Sequence, residues 1–306
     1  MRRVSTIFLL VACALGTMSV PVRSQQATFR TQSDLVVLHV NVFDGRSDAV
    51  EGLPQSAFSV VENDTPQEIT FFNSTDVPVA AGLVLDNSGS MIARSGMVIA
   101  GGTAFVESSH PEDELFTVNF NEHVRFGLPP SVPFTKNLTH LKAAMMRYRA
   151  GGKTALHDAV IAGLEHLERA SHQKRVLVVL SDGDDNASTH TEKEMLDQAR
   201  RSDAIVYAVS SADYGSGRGG NPGVLRKLAD TTGGVAYFPR SDAGIVDGFN
   251  QIAANIRRGY SIGYVPPSSH KAGEFRNVKV RVRVKGRNNL TVRARDGYAG
   301  FDDRSR

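Results

Sequence analysis

Cysteine is nearly missing from this 306-residue chain: Cys13 is the only one. It lies in the N-terminal segment MRRVSTIFLLVACALGTMSVPVRSQQ, where Arg2 and Arg3 precede an apolar run from Val4 to Val20 and Val22 and Ser24 are spaced like a cleavage site. Such a segment is expected to be a secretory signal peptide cut near Ser24, leaving a chain without thiols. A disulfide framework and a cysteine-ligated metal centre are thereby excluded. No later run approaches the ~20 apolar residues of a membrane span, so no transmembrane segment is expected after signal removal. Strong charge of one sign is missing too. The formal net charge is +3, and much of the excess sits in KVRVRVKGRNNLTVRAR, where basic residues alternate with valine as on a half-exposed strand. No nucleic-acid partner is expected. Several catalytic signatures are also lacking: no H-E-x-x-H, no P-loop, and no G-x-G-x-x-G after the first strand of the α/β region.

What is present reads as a globular chain, 41% apolar and 22% charged, long enough for one large domain of about 180 residues and a smaller one of about 100. Its texture changes twice. Residues 25–77 carry short β-branched strands such as LVVLHVNVF and AFSVVEN. Residues 78–258 alternate apolar strands (VAAGLVLD, LFTVNFN, RVLVVLSD, AIVYAVSS) with amphipathic helices, which implies βαβ units and a mostly parallel sheet covered on both faces. Residues 259–306 return to β texture. Neither flank can bury a core alone, so the two are expected to pair as a small β-sandwich-like domain with the α/β domain inserted in it. Export to the periplasm or beyond follows from residues 1–24. The lipobox-like run Leu10-Val11-Ala12-Cys13 offers a lipid anchor as the alternative to a soluble form. The glycine-rich loop Asp213 to Gly223 follows a strand on the same sheet edge as Asp86, where it could meet a partner.

The most informative stretch is VAAGLVLDNSGSM, Val79 to Met91. An apolar strand stops at D-x-S-x-S, so Asp86, Ser88 and Ser90 lie at the carboxyl end of a strand, the edge where open α/β sheets bind ligands. Oxygen donors with little charge suit a small hard divalent cation such as Mg²⁺, which keeps some of its water. Two further pieces share that edge. Gly151-Gly152-Lys153-Thr154 opens a helix with a permissive turn and a hydroxyl, and Arg175-VLVVL-Ser181-Asp182-Gly183 is a buried strand ending in a carboxylate.

These three pieces, in this order, resemble the von Willebrand factor type A (VWA) family, whose metal-ion-dependent adhesion site (MIDAS) is D-x-S-x-S, a separate Thr and a separate Asp. The resemblance covers about residues 78–258, with all five positions filled. It implies a doubly wound, mostly parallel sheet of Rossmann-like type. It also implies Asp86, Ser88, Ser90, Thr154 and Asp182 around one Mg²⁺, with Mn²⁺ and then Ca²⁺ as alternatives, and a protein partner whose Asp or Glu completes the coordination. The flanks, with AFSVVENDTPQEITFF before and VRARDGYAG after, further resemble a bacterial exported subgroup of such proteins.

Enzyme readings fit less well. A phosphatase with an aspartate nucleophile at a strand end wants a second Asp two residues on, and Ser88 stands there. A serine-hydrolase elbow fails because Asp86 occupies its first glycine position. His157 could serve Ser88 or Ser90 as a base, but at the start of a helix it reads as a surface or satisfied histidine. No catalytic residue is therefore assigned. The expectation is an exported metal-dependent binding module, with a structural envelope or secreted scaffold as the alternative.

Overall fold

The apolar run ending at Asp86 becomes a strand buried along its whole length, because helices cover both faces of its sheet. The computed structural model describes residues 35–45, 49–212, 220–266 and 274–299. The signal segment with Cys13 and residues 213–219 of the glycine-rich loop lie outside them. In chain order the strands are β1 (Val36–Phe43), β2 (Phe58–Glu62), β3 (Thr65–Gln67), β4 (Phe71–Asn73), β5 (Ala80–Asp86), β6 (Glu114–Phe120) and β7 (Val124–Phe126), then β8 (Arg175–Ser181), β9 (Ile205–Ser210), β10 (Ala236–Tyr237), β11 (Tyr260–Tyr264), β12 (Phe275–Val282), β13 (Thr291–Arg293) and β14 (Gly297–Ala299). The helices are α1 (Ser95–Glu107), α2 (Leu138–Met145), α3 (Leu156–Leu167), α4 (Glu192–Arg201), α5 (Pro222–Thr232) and α6 (Asp242–Arg258).

The central sheet runs β10-β9-β8-β5-β6-β7 and is parallel except for β7, which pairs antiparallel with β6. Side chains of β5, β8 and β9 alternate between two cores, as the period-2 geometry of a strand requires. On one face Val98 and Phe105 of α1 and Phe249 and Ile252 of α6 pack on Leu83, Leu85 and Val178. On the other, Val160 and Leu164 of α3, Met195 of α4 and Leu225 and Leu228 of α5 pack on Val84, Leu177 and Val179. The fold is therefore the α/β, mostly parallel, doubly wound class that the sequence texture implies. Two elements are shorter than their sequence suggests. The stretch VAYFPR contributes only the two residues of β10, with Pro239 unable to donate to a ladder. The motif Asn87–Ser90 runs into a 3-10 segment, Gly89–Arg94, before α1 begins.

The flanks form two four-stranded antiparallel sheets, β13-β1-β11-β4 and β14-β12-β2-β3, each combining strands from both ends of the chain. Val36, Leu38, Val40 and Val42 of β1 share a core with Val60, Ile262, Tyr264 and Val278. Among the described residues no helix is long and apolar enough to cross a membrane.

Candidate metal centre

Parallel strands end at one edge, and that edge gathers the three predicted pieces. Asp86 closes β5 with 1% of its surface exposed. Its Oδ1 accepts the Ser88 amide at 2.8 Å and its Oδ2 accepts the Ser181 hydroxyl at 2.7 Å. The Ser88 and Ser90 hydroxyls lie 3.1 Å apart, Ser88 buried and Ser90 exposed. The Thr154 loop is fastened to this one through backbone bonds, Gly89 N to the Gly152 carbonyl (3.0 Å) and Gly151 N to the Asn87 carbonyl (2.8 Å). Gly152 suits that turn because its φ is +86°, a conformation that residues with a Cβ rarely adopt.

The third loop is tied to the second in turn. Asn186 Oδ1 accepts the Thr154 amide at 2.9 Å, and the Thr154 carbonyl accepts the Asn186 and Ala187 amides at 2.9 and 3.0 Å. Asp182, 8% exposed, receives the Asp184 amide on Oδ1 at 3.0 Å. Gly183 follows at φ +88°, where a Cβ would sit 2.3 Å from the Asn221 carbonyl oxygen. The structure thus brings Asp86, Ser88 and Ser90 into direct succession. It places Thr154 and Asp182 on the two loops bonded to them.

Burial pushes the Asp86 carboxyl up to about 6, against the Ser88 and Ser181 hydrogen bonds, and the like charge of Asp182 adds to the rise. Among the described residues neither carboxylate forms an ion pair, and no hydrogen bond uses the Thr154 hydroxyl. No group of three or more His, Cys, Asp or Glu side chains converges anywhere among the described residues. A cation held here would therefore be held by two carboxylates and three hydroxyls. That donor set suits a hard divalent ion that retains water, and two buried acids without a basic partner are the environment such an ion relieves.

A sequence-family profile described as von Willebrand factor type A domain matches residues 82–184. The match places residues 82–184 in the VWA domain family. Among solved structures it is similar to a von Willebrand factor type A protein from Catenulispora acidiphila, at 16% identity over 90% of this chain and 76% of that one, with a TM-score of 0.51. It is also similar to proximal thread matrix protein 1 of the mussel byssus, described with a zinc-occupied MIDAS motif, at 14% identity over 66% of this chain and 50% of that one, TM-score 0.51. The PilB minor pilin of Streptococcus sanguinis matches at 11% identity over 61% of this chain and 63% of its own, TM-score 0.50. At these identities the likeness is one of fold. Comparison with curated proteins finds no match.

The site also holds residues that sequence reading passed over. Ser181, the last residue of β8, gives its hydroxyl proton to Asp86 and accepts the Gly183 amide at 3.1 Å. Nothing local marks a serine before Asp-Gly as a support for a distant aspartate. Asn186 orients the Thr154 loop, again through a contact between separated segments. Thr154 is not the helix cap: Ala155 is the N-cap of α3 and makes no side-chain cap bond. Of the two acids after Asp182, only Asp184 is exposed. Asp185 accepts the His157 amide (3.0 Å) and the Ser188 hydroxyl (2.5 Å), so it is a structural turn residue and not a solvated one. His157 itself places Nδ1 3.1 Å from the His190 carbonyl oxygen.

Proposed function

We propose that the chain is an exported, non-catalytic protein-binding module that captures an Asp or Glu carboxylate of a partner through a Mg²⁺-type cation. The reading is carried by one observation: two buried carboxylates without a basic partner, Asp86 and Asp182, at an open sheet edge beside the paired Ser88 and Ser90 hydroxyls. Asp86, Ser88, Ser90, Thr154 and Asp182 would hold the ion, with Mn²⁺ as the alternative metal. When bound, it supplies an electrophilic position that a carboxylate can fill. The chain's own work is positional. Ser181 and the Ser88 amide fix Asp86, Asn186 and Gly152 fix the Thr154 loop, and exposed Ser90 keeps the edge open to a partner. The signal-like N-terminus supports export. The non-catalytic reading is supported by His157, whose ring bonds the His190 carbonyl and sits beside Asp185 instead of Ser88 or Ser90.

Calorimetric titration of the metal-stripped protein with Mg²⁺, followed by capture of exported proteins in Mg²⁺ or EDTA, tests this. Wild type should bind one ion and gain about 2.7 kcal/mol of unfolding stability at a hundredfold excess over Kd. Asp86→Ala and Thr154→Ala should remain folded and lose both the ion and the captured partner. Capture that survives EDTA and both substitutions sinks the reading.

A further inference from the structure

The rim of the Asp86 site is charged asymmetrically. On the β6 side, the β6–β7 turn and the segment from the end of α2 to Thr154 are stitched together. Asn121 Nδ2 donates to the Gly151 carbonyl (3.1 Å), Lys153 N donates to the Glu122 carboxylate (3.0 Å), and the Arg125 guanidinium stands 5.5 Å from the centre of the Tyr148 ring. The same segment is fastened to the Asp86 loop, since Asn87 Nδ2 donates to the Tyr148 carbonyl at 3.4 Å. This construction brings Arg125 of β7 and Arg147, Arg149 and Lys153 of the segment after α2 to the β6 side of the site, the last three exposed and Arg125 half-buried, with Arg147 Nη1 donating to the Gly127 carbonyl at 3.3 Å.

Among the described residues none of the four forms an ion pair; Glu122, which accepts the Lys153 amide and feels the charge of Arg125, sets one carboxylate against four cations there. Some exposed bases elsewhere are matched, Lys136 with Glu112, Lys142 with Glu107, Lys227 with Glu192 and Arg293 with Asp230; the unmatched run Lys279, Arg281 and Arg283 lies on or just after β12, in the flanking sheets and not beside Asp86. The opposite rim is the turn after β8. It presents Asp184 and has no Lys or Arg from Asp182 to Thr191.

We propose that the partner of this site is an acidic, extended protein segment, with one carboxylate at the Asp86 site and further carboxylates lying across Tyr148 onto Arg125, Arg147, Arg149 and Lys153. The proposal rests on the carboxylate-capture reading above and adds the partner's composition and direction. Unmatched exposed charges are individually weak, but a one-sign cluster beside a carboxylate site steers encounter and fixes register. The asymmetry sets polarity, because a segment laid the other way would put its acids against Asp184. Acids on alternate residues of an extended segment recur about every 7 Å on one face, so several can meet the cluster at once.

The test is fluorescence anisotropy of a fluorescein-labelled decaglutamate peptide with the full chain, in Mg²⁺ and in EDTA, across a salt series. Wild type should bind in Mg²⁺. Arg147→Glu combined with Arg149→Glu should weaken binding by about tenfold and flatten its salt dependence. Arg149→Glu alone, whose side chain bonds nothing among the described residues, should give a smaller loss in the same direction in a chain with unchanged melting. Lys193→Glu, on the exposed face of α4, should change nothing. Equal binding by wild type and the double variant overturns the proposal and leaves the metal reading standing. Loss in the double variant with equal binding in Mg²⁺ and EDTA overturns the metal reading and upholds the basic surface as the docking face. Failure of wild type to bind the peptide, or equally tight binding of a labelled DNA oligonucleotide of matched charge, overturns the choice of an acidic protein segment.

Discussion

Asp86 and Glu62 are both acids with 1% of their surface exposed, and they are treated in opposite ways. Glu62, on β2 of the flanking sheets, receives the hydroxyls of Tyr264 (2.6 Å) and Tyr298 (2.7 Å) on Oε2, and Arg276 Nη2 lies 2.6 Å from Oε1. Its cation and its two phenols come from β12, β11 and β14, so the acid joins strands from both ends of the chain. Burial and the Glu62 charge hold both phenols protonated far above their usual range. Asp86 has a hydroxyl and an amide but no cation, and the charge that raises its pKa is another acid. A buried acid costs several kcal/mol unless paired. The chain supplies that pairing at Glu62 and withholds it at Asp86, which is how a structural acid differs from one set up to bind.

The largest effect should come from breaking the Glu62 pair. Arg276→Met leaves a buried carboxylate without its cation and should cost about 3–5 kcal/mol in urea unfolding, with no recovery in Mg²⁺. Adding Glu62→Leu should restore part of the loss, since an apolar replacement of both partners removes the uncompensated charge. A cost below about 1 kcal/mol for the single variant would mean Glu62 needs its cation no more than Asp86 does, and the contrast would fall.

A second contrast lies within the flanking sheets. His39 of β1, half-buried and 3.1 Å from the Ser261 hydroxyl, is held down to about 3 by burial and by the cations Lys174 and Arg295. Its ordinary value is 6.5. Between the two, the unfolded chain binds one proton more than the folded chain, so stability is full above the ordinary value and falls as pH drops toward the folded one. The ring is partly exposed, so the loss should be about 1 kcal/mol at pH 5, well under the one-proton maximum. His39→Gln should flatten that slope when unfolding curves of the two proteins are subtracted. An unchanged slope would show that the Glu62 side of the molecule tolerates unpaired charge after all.

The sequence shows the α/β class because continuous apolar strands separated by amphipathic helices have few other solutions. The three residues of β7 are too few for any periodicity, while the stretch VAYFPR reads as a strand and supplies only the two residues of β10. The D-x-S-x-S turn announces its oxygens locally. The supports of that turn do not announce themselves, since Ser181 and Asn186 act through contacts between distant segments. The basic surface is hidden for the same reason. A net charge of +3 gives no hint that Arg125, Arg147, Arg149 and Lys153 lie on the β6 side of the site, and the visible excess, on β12 and β13, lies on strands of the flanking sheets. The Glu62–Arg276 pair links residues from the two ends of the chain, and its pairing depends on the register of β2 against β12.

The smallest effect is the sharpest test of the contrast. Ser181 stands to Asp86 as Tyr264 and Tyr298 stand to Glu62, a hydroxyl aimed at a buried carboxylate. If Asp86 is poised for a cation, Ser181 serves to orient it. Ser181→Ala should then weaken Mg²⁺ binding about tenfold, as losses of a ligand's supporting partner commonly do. Folding stability in EDTA should change by only about 1 kcal/mol, the net worth of one hydroxyl bond. Calorimetric Mg²⁺ titration and urea unfolding of the same preparation separate the two readouts. Should Mg²⁺ affinity hold while stability drops by several kcal/mol, the hydroxyl is part of the structural network, and Asp86 is an acid of the same kind as Glu62.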